Sequence, residues 1–255
     1  MRESYINDIE RCAQACAREV AHLVAGGPTW STSKGGADLV TDRDAEAERA
    51  VRGIIRESFP NHRIVGEECG DEGNGEWTWY VDPIDGTVNY AHGLPWYSMS
   101  VCAAHAGQIE VGAIAIPTIG ALVLARRGRG MRVEGAERRK RADELEAGGL
   151  VAMEWNVARP WAGQVPLIEK LATHDVTCRI MGSGTLALAA VALGWVDACL
   201  IGSCDYIDHG AGLLACVESG AVCESLGDWT PADGPFIVAN EKVAATVAAM
   251  YRGTS

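Results

Sequence analysis

The sequence predicts a layered fold in which an α+β first half packs against an α/β second half. In the first half, two helical patterns precede a long run of strand patterns, whereas short strand and helix patterns alternate through the second half. The charged, glycine-containing segment 134–149 is the best candidate for a boundary. We therefore expect one unit over residues 1–145 and another over residues 146–255.

Hydrophobic periodicity and turn residues predict the elements of the first half. Apolar residues at three- and four-residue steps predict an amphipathic helix over 4–25, and a second helical stretch runs from about Asp44 to Ser58. Between them, the polar and glycine-rich residues 29–41 predict a mobile loop. The rest of this half is predicted as strands: HRIVGEE, WTWYVD and, with turns at Gly107 and 117–120, an antiparallel run over 97–128.

The second half alternates short apolar strands with helices. Its predicted helices are 160–174, 182–196, 208–219 and the stretch from Glu241 onward. Its predicted strands are VTCRI, DACLI, AVCES and PFIVAN. The turn GSGT precedes the apolar helix at 182–196, where Ser183 is suited to cap it. This alternation is typical of an α/β layer.

The composition describes a folded, acidic protein. It has 22 Lys and Arg against 34 Asp and Glu, a formal charge of −12, and 48% hydrophobic residues. This charge disfavours nucleic-acid and anionic membrane partners, and an anionic substrate would need metal ions to invert the local field. The nine cysteines, an odd number without C-x-x-C spacing, are expected to be reduced. Without a run of about 18 apolar residues, we expect a cytoplasmic protein and no membrane partner.

The sequence WYVDPIDGTVNY carries the strongest candidate for a reactive site. Pro83 cannot continue a central strand, so a turn there is expected to leave Asp82 at the strand end and Asp85 as a cap-like residue before a short helix. The free N–H groups of Gly86 and Thr87 would then be available to a phosphate oxygen. An isolated D-x-x-D is more often a solvated turn, but buried carboxylates this close need a cation or a proton between them.

Acidic residues at other predicted element ends favour the cation. Glu67 and Glu68 follow one strand, Asp42 and Asp44 precede the second helix, and Asp208 opens a helix after DACLI. Oxygen ligands supplied by turns are the ones that hard cations such as Mg²⁺ prefer. The pattern therefore predicts an acidic cavity that binds magnesium.

The motifs together resemble the inositol monophosphatase family, which comprises Mg²⁺-dependent, lithium-sensitive phosphomonoesterases. The similar stretches are DLVTDRDAEAE, IVGEE, WYVDPIDGTVNY, GSGT and DYIDHGAGLLACVESGAV, and they extend from about residue 34 to residue 240. The resemblance implies an αβαβα sandwich and a homodimer. One motif departs from the family pattern W-D-x-A-[AG]-G, because Ile207 replaces the tryptophan and His209 and Gly210 follow Asp208.

The resemblance also implies a set of metal ligands for two or three Mg²⁺ ions. Glu67, Asp82 and the backbone carbonyl of Ile84 would bind one ion, and Asp82, Asp85 and Asp208 a second, so that Asp82 bridges them. Glu67 would also reach a weaker third ion. Glu68 is expected to lie behind these ligands and to support them.

Other residues match the family's catalytic and phosphate-binding positions. Asp44 and Thr87 correspond to an activating pair, in which the aspartate orients the threonine hydroxyl and the hydroxyl takes a proton from the metal-bound water; Glu67 belongs to the same catalytic group. Gly86 and Thr87 would hold the phosphate. Lys34 corresponds to a residue near the phosphate, although a solvated lysine is an equally good interpretation.

The substrate side is less defined. The resemblance places it at Gly184 and Thr185 of the GSGT turn and at the segment before Asp208, which includes Asp205. The family's inositol-binding glutamate corresponds to Ile201, and this departure points away from inositol itself. A small polyol, cyclitol, sugar or histidinol phosphate remains open, as do a nucleotide 3′-phosphate and a non-catalytic homologue that binds Mg²⁺ or an anion.

Overall fold

The computed structural model describes residues 3–35, 38–155, 160–227 and 233–253. The helices are α1 Glu3–Val24, α2 Asp42–Ser58, α3 Thr87–Ala91, α4 Gln164–Thr173, α5 Gly184–Leu193, α6 Tyr206–Glu218 and α7 Glu241–Arg252. The strands are β1 Ser31–Gly35, β2 Asp38–Thr41, β3 Arg63–Gly66, β4 Gly70–Glu72, β5 Trp77–Asp85, β6 Ser98–His105, β7 Gln108–Ile116, β8 Ala121–Arg126, β9 Gly130–Glu134, β10 Leu150–Met153, β11 Thr177–Ile180, β12 Ala198–Ile201, β13 Val222–Ser225 and β14 Phe236–Ala239.

These elements form five layers around two sheets. A seven-stranded sheet has the order β4-β3-β5-β6-β7-β8-β9, and a five-stranded sheet has the order β11-β10-β12-β14-β13. Helices α1 and α2 cover one face of the large sheet, α5 and α6 lie between the sheets, and α4 and α7 cover the small sheet. The predicted αβαβα sandwich is therefore confirmed.

The middle layer explains why α5 is apolar all round. Every residue of this helix is buried, because one side faces the large sheet, another the small sheet, and a third α6. A helix without a polar face is stable only when it is surrounded by protein in this way. Its position brings the N-terminus of α5 to the end of β5, next to the acidic motif.

Most predicted elements are confirmed, and three differences have physical reasons. Residues 31–35 and 38–41, predicted within a loop, form the antiparallel strands β1 and β2; β1 shows no alternation of buried and exposed residues, since all its side chains are exposed. Helix α6 begins at Tyr206 rather than at Asp208, because the side chain of Asp205 accepts the N–H of Ile207 as its cap. Strands β4, β9 and β10 were not predicted, and β4 and β10 are only 3 and 4 residues long.

Residues 135–149 contain no helix or strand, and the two sheets lie on either side of this segment along the chain. One apolar cluster, however, combines residues of the large sheet with residues of the small one. The division at residue 145 stays a prediction. Within the described residues, no helix is long and apolar enough to cross a membrane.

Candidate active site

The acidic motifs meet at one cavity of about 570 Å³ at the end of β5. All four predicted carboxylate ligands line it: Glu67, Asp82, Asp85 and Asp208. Ile84, Gly86, Thr87 and Gly184 also line this cavity. The structure thus joins stretches of the chain that the sequence only suggested were neighbours.

A β-bulge places Asp82 and Asp85 on the same side of their strand. Asp82 pairs with Ser100 and Asp85 with Ser98, so that two residues of β5 oppose one residue of β6 between these pairs. Side chains alternate along a regular strand, and residues 82 and 85 would then face opposite sides; the extra residue reverses this. The bulge contains Pro83, which has no N–H to leave unpaired.

The predicted turn at Pro83 is therefore wrong, and so is the predicted capping role of Asp85. Strand β5 continues to Asp85, and the residue that precedes α3 is Gly86, with a left-handed φ of 95°. Asp82 Oδ1 accepts the N–H of Ile84 at 3.0 Å within the bulge. This hydrogen bond within the bulge replaces the inter-strand hydrogen bond that the disrupted ladder does not provide at Ile84.

The GSGT turn holds Asp85 in place. Asp85 Oδ2 accepts the hydroxyl of Ser183 at 2.6 Å and the N–H of Thr185 at 2.5 Å. Ser183 Oγ also caps α5, as predicted, by accepting the N–H of Leu186 at 3.1 Å. The hydroxyl of Thr185 donates to the backbone carbonyl of Asp208. One turn thus positions two of the acidic residues.

Thr185 is completely buried. Both its hydroxyl and its N–H bond to protein groups rather than face the cavity, and its predicted contact with substrate stays a prediction. Gly184 does line the cavity, whereas Asp205 is exposed at the α6 cap and is not among the described residues that line it. A substrate contact for Gly184 or Asp205 stays a prediction.

Asp44 and Thr87 lie within hydrogen-bonding distance, as the resemblance implies. Asp44 is buried at the third position of α2, where its Oδ2 accepts the N–H of Thr41 at 2.8 Å in a capping box. The other oxygen, Oδ1, lies 3.1 Å from Thr87 Oγ1. The start of α2 therefore fixes an acceptor against the cavity-lining hydroxyl. The neighbouring Asp42 points elsewhere and accepts the N–H of Thr29 at 3.0 Å.

Lys34, on β1, lies among the acidic residues. Its Nζ donates to Glu67 Oε1 at 2.9 Å and to Glu68 Oε1. Burial lowers the pKa of Lys34, but hydrogen bonds to the two glutamates outweigh this and raise it overall. The ammonium group therefore remains charged and balances part of the negative charge of the site.

Glu48 supports the turn that carries Glu67 and Glu68, and sequence reasoning missed it. This fully buried carboxylate accepts the backbone N–H of Glu68 at 2.6 Å and of Cys69 at 3.2 Å, and Arg52 Nε at 2.8 Å. Gly66 leaves room for it, because a Cβ atom there would lie 2.1 Å from Glu48 Oε1. The spacing of Glu48 and Arg52 by four residues was an available signal.

The carboxylates of the cavity repel one another. Burial, and then the charge of Asp85, raise the pKa of Asp82 well above its ordinary value. Burial and the charge of Asp85 likewise raise the pKa of Asp208 to about 7. Enclosure also raises the pKa of Asp85, although hydrogen bonds from Ser183 and Thr185 act in the opposite direction. Positive charge supplied to the cavity would therefore favour the ionised forms of these groups.

The donor set fits hard cations. Carboxylate oxygens and the carbonyl of Ile84 around one cavity are the ligands that Mg²⁺ prefers, and bound cations would remove the repulsion. Across the described ranges, no three acidic, histidine or cysteine side chains already converge as a complete metal-binding group. Three of the four carboxylates instead bond to protein groups: Glu67 to Lys34, Asp82 to the N–H of Ile84, and Asp85 to the Ser183 turn.

Glu154, which lines the cavity, is paired with the buried His209, and this pair was not predicted. His209 is 2% exposed, and its Nε2 lies 3.0 Å from Glu154 Oε1. Burial lowers the pKa of His209, but the hydrogen bond and charge of Glu154 raise it to about 9. Ile201, at the position of the family's glutamate, is fully buried in β12. Glu154 follows β10, the strand that the sequence did not reveal.

The fold and site together define a layered αβαβα enzyme whose cavity concentrates carboxylates beside an aspartate-oriented hydroxyl. The sequence profile of the Inositol monophosphatase family matches residues 6–253. The chain therefore belongs to the inositol monophosphatase family, a family of phosphoric monoester hydrolases that generally depend on Mg²⁺.

Individual relatives agree with this family. The chain is 32% identical over 209 residues to the fructose-1,6-bisphosphatase/inositol-1-monophosphatase of Thermotoga maritima, with 80% of each chain covered. It is also 32% identical over 232 residues to the Nus factor SuhB of Pasteurella multocida, with 87% of each covered. Among solved structures, a Thermotoga maritima IMPase superposes with a TM-score of 0.83 at 26% identity and 98% coverage of both chains.

Proposed function

We propose that the chain is a Mg²⁺-dependent phosphomonoesterase of a small polyol, cyclitol or sugar phosphate. The observation that carries this proposal is the convergence of four carboxylates on one cavity, beside the Thr87 hydroxyl at 3.1 Å from Asp44 Oδ1. The family membership supports it, as does the name of the Thermotoga maritima relative.

The proposal assigns the metal ligands as the resemblance implies. Glu67, Asp82 and the carbonyl of Ile84 would hold one ion, and Asp82, Asp85 and Asp208 another. When bound, Mg²⁺ would neutralise phosphate and carboxylates, acidify the attacking water and stabilise the leaving alkoxide. For Glu67 to act as a ligand, Lys34 has to release Oε1.

The chain's own groups orient the reaction. Thr87 can donate its hydroxyl hydrogen bond to Asp44 Oδ1, so that when Oγ1 takes a proton from water in the cavity its own proton passes to Asp44. The first N–H groups of a helix have no partner within it, and those of Gly86 and Thr87 are suited to a phosphate oxygen. A role for Lys34 near the phosphate is part of the same proposal.

The alternatives from the sequence receive less support. A non-catalytic homologue would be expected to have lost part of the machinery, whereas all four carboxylates and the Asp44 and Thr87 pair are present. A nucleotide 3′-phosphate would favour basic side chains around the base and ribose, and no described residue that lines the cavity is lysine or arginine.

Dimer formation is part of the proposal. The exposed apolar side chains of Trp96, Ile119 and Ile180 border an apolar groove of about 350 Å³ near the active-site cavity. A second copy of the chain would remove this surface from water, which favours association. The expected cytoplasmic location is likewise a proposal.

A phosphate-release panel tests the proposed function. Wild-type protein with millimolar Mg²⁺ is expected to release phosphate from polyol or sugar monophosphates, and EDTA should abolish release. Asp85→Asn should lower kcat/KM by about 10²-fold or more with the fold retained, because it weakens a cation ligand. The matched control is Asp143→Asn, an exposed aspartate paired with Lys140. Wild-type turnover by Asp85→Asn would overturn the metal assignment.

A further inference from the structure

One carboxylate of the cavity, that of Glu154, does not belong to the proposed metal ligands. It follows β10 and lines the cavity with Trp155, Gly184 and Asp208. About 27% of its side chain is exposed, so that ligands in the cavity can reach it. It lies in the half of the chain that carries the predicted substrate side.

Two neighbours, His209 and Gly202, fix this carboxylate in position. His209 Nε2 lies 3.0 Å from its Oε1, and the N–H of Gly202 donates to its Oε2 over a longer 3.3 Å. The ring of His209 is itself fixed, with Nδ1 at 3.1 Å from the backbone nitrogen of Asp205. Glu154 is therefore held before any ligand arrives, which reduces the entropy lost on binding.

Gly184 is adapted to this pair. A Cβ atom at this position would lie 2.8 Å from His209 Nε2 and 2.9 Å from Glu154 Oε1. Such distances are too short for a methyl group, so any larger residue would displace the histidine or the glutamate. The first residue of α5 thus packs directly against the hydrogen bond between them.

Among the described residues, the hydrogen bonds to the Glu154 carboxylate leave part of its acceptor capacity unused. An ionised carboxylate offers about four lone-pair positions, and the contacts to His209 and Gly202 use two of them. Ile201, where a polar contact to the substrate was expected from the family, has no exposed surface. Glu154 is thus placed to recognise the alcohol part from a different strand, at the end of β10 rather than of β12.

We propose that Glu154, held by His209 against Gly184, accepts a hydrogen bond from the alcohol part of the substrate and so selects it. The inference rests on the phosphatase function proposed above. The substrate class is a phosphate monoester whose alcohol carries a donor, either a hydroxyl or an ammonium group. A carboxylate or a second phosphate at this point would be repelled, and Trp155, 41% exposed beside Glu154, offers an apolar face to the carbon skeleton.

The test compares three esters with Mg²⁺ present: myo-inositol 1-phosphate, phosphoethanolamine and p-nitrophenyl phosphate, which has no donor on its alcohol part. In Glu154→Ala, the kcat/KM for the better donor-bearing ester, divided by that for p-nitrophenyl phosphate, should fall at least tenfold. Glu154→Gln retains an acceptor for His209. In this variant the same ratio of kcat/KM values should fall at least threefold if the preferred ester carries a hydroxyl donor, and at least tenfold if it carries an ammonium donor. The control is Glu169→Ala, an exposed glutamate on α4, which should keep the wild-type ratio.

The outcomes separate the two proposals. A merely structural role for Glu154 would lower the melting temperature and activity on all esters together, and would leave the ratio unchanged. An unchanged ratio in folded Glu154→Gln therefore overturns this inference while the phosphatase function stands. If wild-type protein hydrolyses none of the three esters or the polyol panel, the proposed function fails and this inference with it.

Discussion

The hydroxyl of Thr87 lies between two acceptors, Asp44 Oδ1 at 3.1 Å and the carbonyl oxygen of Ile84 at 2.9 Å. A hydroxyl has one proton, so it can donate to only one of them at a time. If the Ile84 carbonyl binds a cation, the proton turns to Asp44, and the oxygen of Thr87 becomes a better acceptor. Metal binding and activation of the hydroxyl would then be coupled at a single residue.

Thr87→Val tests this role because it replaces the hydroxyl by a methyl group of similar shape. We expect kcat to fall by about 10²–10⁴-fold with little change in KM, since the loss concerns proton transfer rather than binding. Thr87→Ser keeps the hydroxyl and serves as the control, with activity within about tenfold of wild type. Steady-state kinetics that show Thr87→Val as active as Thr87→Ser would contradict the assignment.

At the scale of elements, the site depends on how strands and helices end. The β5 bulge turns two aspartates to one side, the capping box of α2 presents Asp44, and the N-terminus of α5 binds Asp85. Each ending leaves backbone groups that need partners, and side chains of the site supply them. The same residues therefore serve both the fold and the cavity.

Gly66→Ala tests one such ending, the turn after β3. The new Cβ would lie 2.1 Å from Glu48 Oε1, so Glu48 must move and release the N–H groups of Glu68 and Cys69. We expect a loss of about 1–3 kcal/mol in the free energy of unfolding, together with weaker Mg²⁺ binding through a displaced Glu67. Urea unfolding and Mg²⁺ titration measure the two effects.

The matched control is Gly53→Ala within α2. No atom of the surrounding described residues, apart from the chain neighbours and the helix's own backbone, lies within 4 Å of the added Cβ, and alanine is the better helix former, so stability should rise by about 0.5–1 kcal/mol. If Gly66→Ala and Gly53→Ala change the free energy of unfolding and Mg²⁺ binding in the same way, Glu48 does not support the turn after β3.

At the scale of the whole molecule, the two sheets and the helices between them concentrate negative charge at one place. Asp82 comes from the large sheet, whereas Asp208 comes from α6 in the middle layer. Folding brings these residues together, which explains why the pKa of Asp82 and of Asp208 is raised in the folded chain. An acid with a raised pKa stabilises the fold at low pH, and this contribution is lost as the pH rises towards the folded pKa.

Asp208→Asn tests this linkage. The pKa of Asp208 rises from an ordinary value of 3.8 to about 7, so its ionisation should destabilise the metal-free protein between about pH 4 and 8. In EDTA at pH 8 the variant should melt several degrees above wild type, and at pH 4 the two should melt alike. Mg²⁺ should raise the melting temperature of wild type more at pH 8 than at pH 5.

The control for these melting curves is again Asp143→Asn, whose carboxyl has a pKa lowered by Lys140 and lies at the surface. It should show no gain in melting temperature at pH 8. If the melting temperature of wild type depends on neither pH nor Mg²⁺, both the raised pKa values and the cation site are contradicted.

The sequence by itself determined the class of fold and the acidic motifs. Its resemblance to a family also predicted the pairing of Asp44 with Thr87. Local periodicity is sufficient for α1, for the antiparallel strands and for the alternation of the second half, because helices and strands repeat over a few residues. The aspartates proposed as metal ligands were identifiable because, beside glycine and proline, they stand out against an apolar strand.

Only the tertiary structure decided how the site is held together. The bond from Ser183 to Asp85 spans 98 residues and that from His209 to Glu154 spans 55, and no local pattern encodes either of them. The bulge at Pro83 depends on the neighbouring β6, and the supporting role of Thr185 on the burial of α5 between two sheets. Hydrophobic periodicity predicts which face of one segment is buried, whereas these contacts depend on which distant segments the packing of the layers brings together.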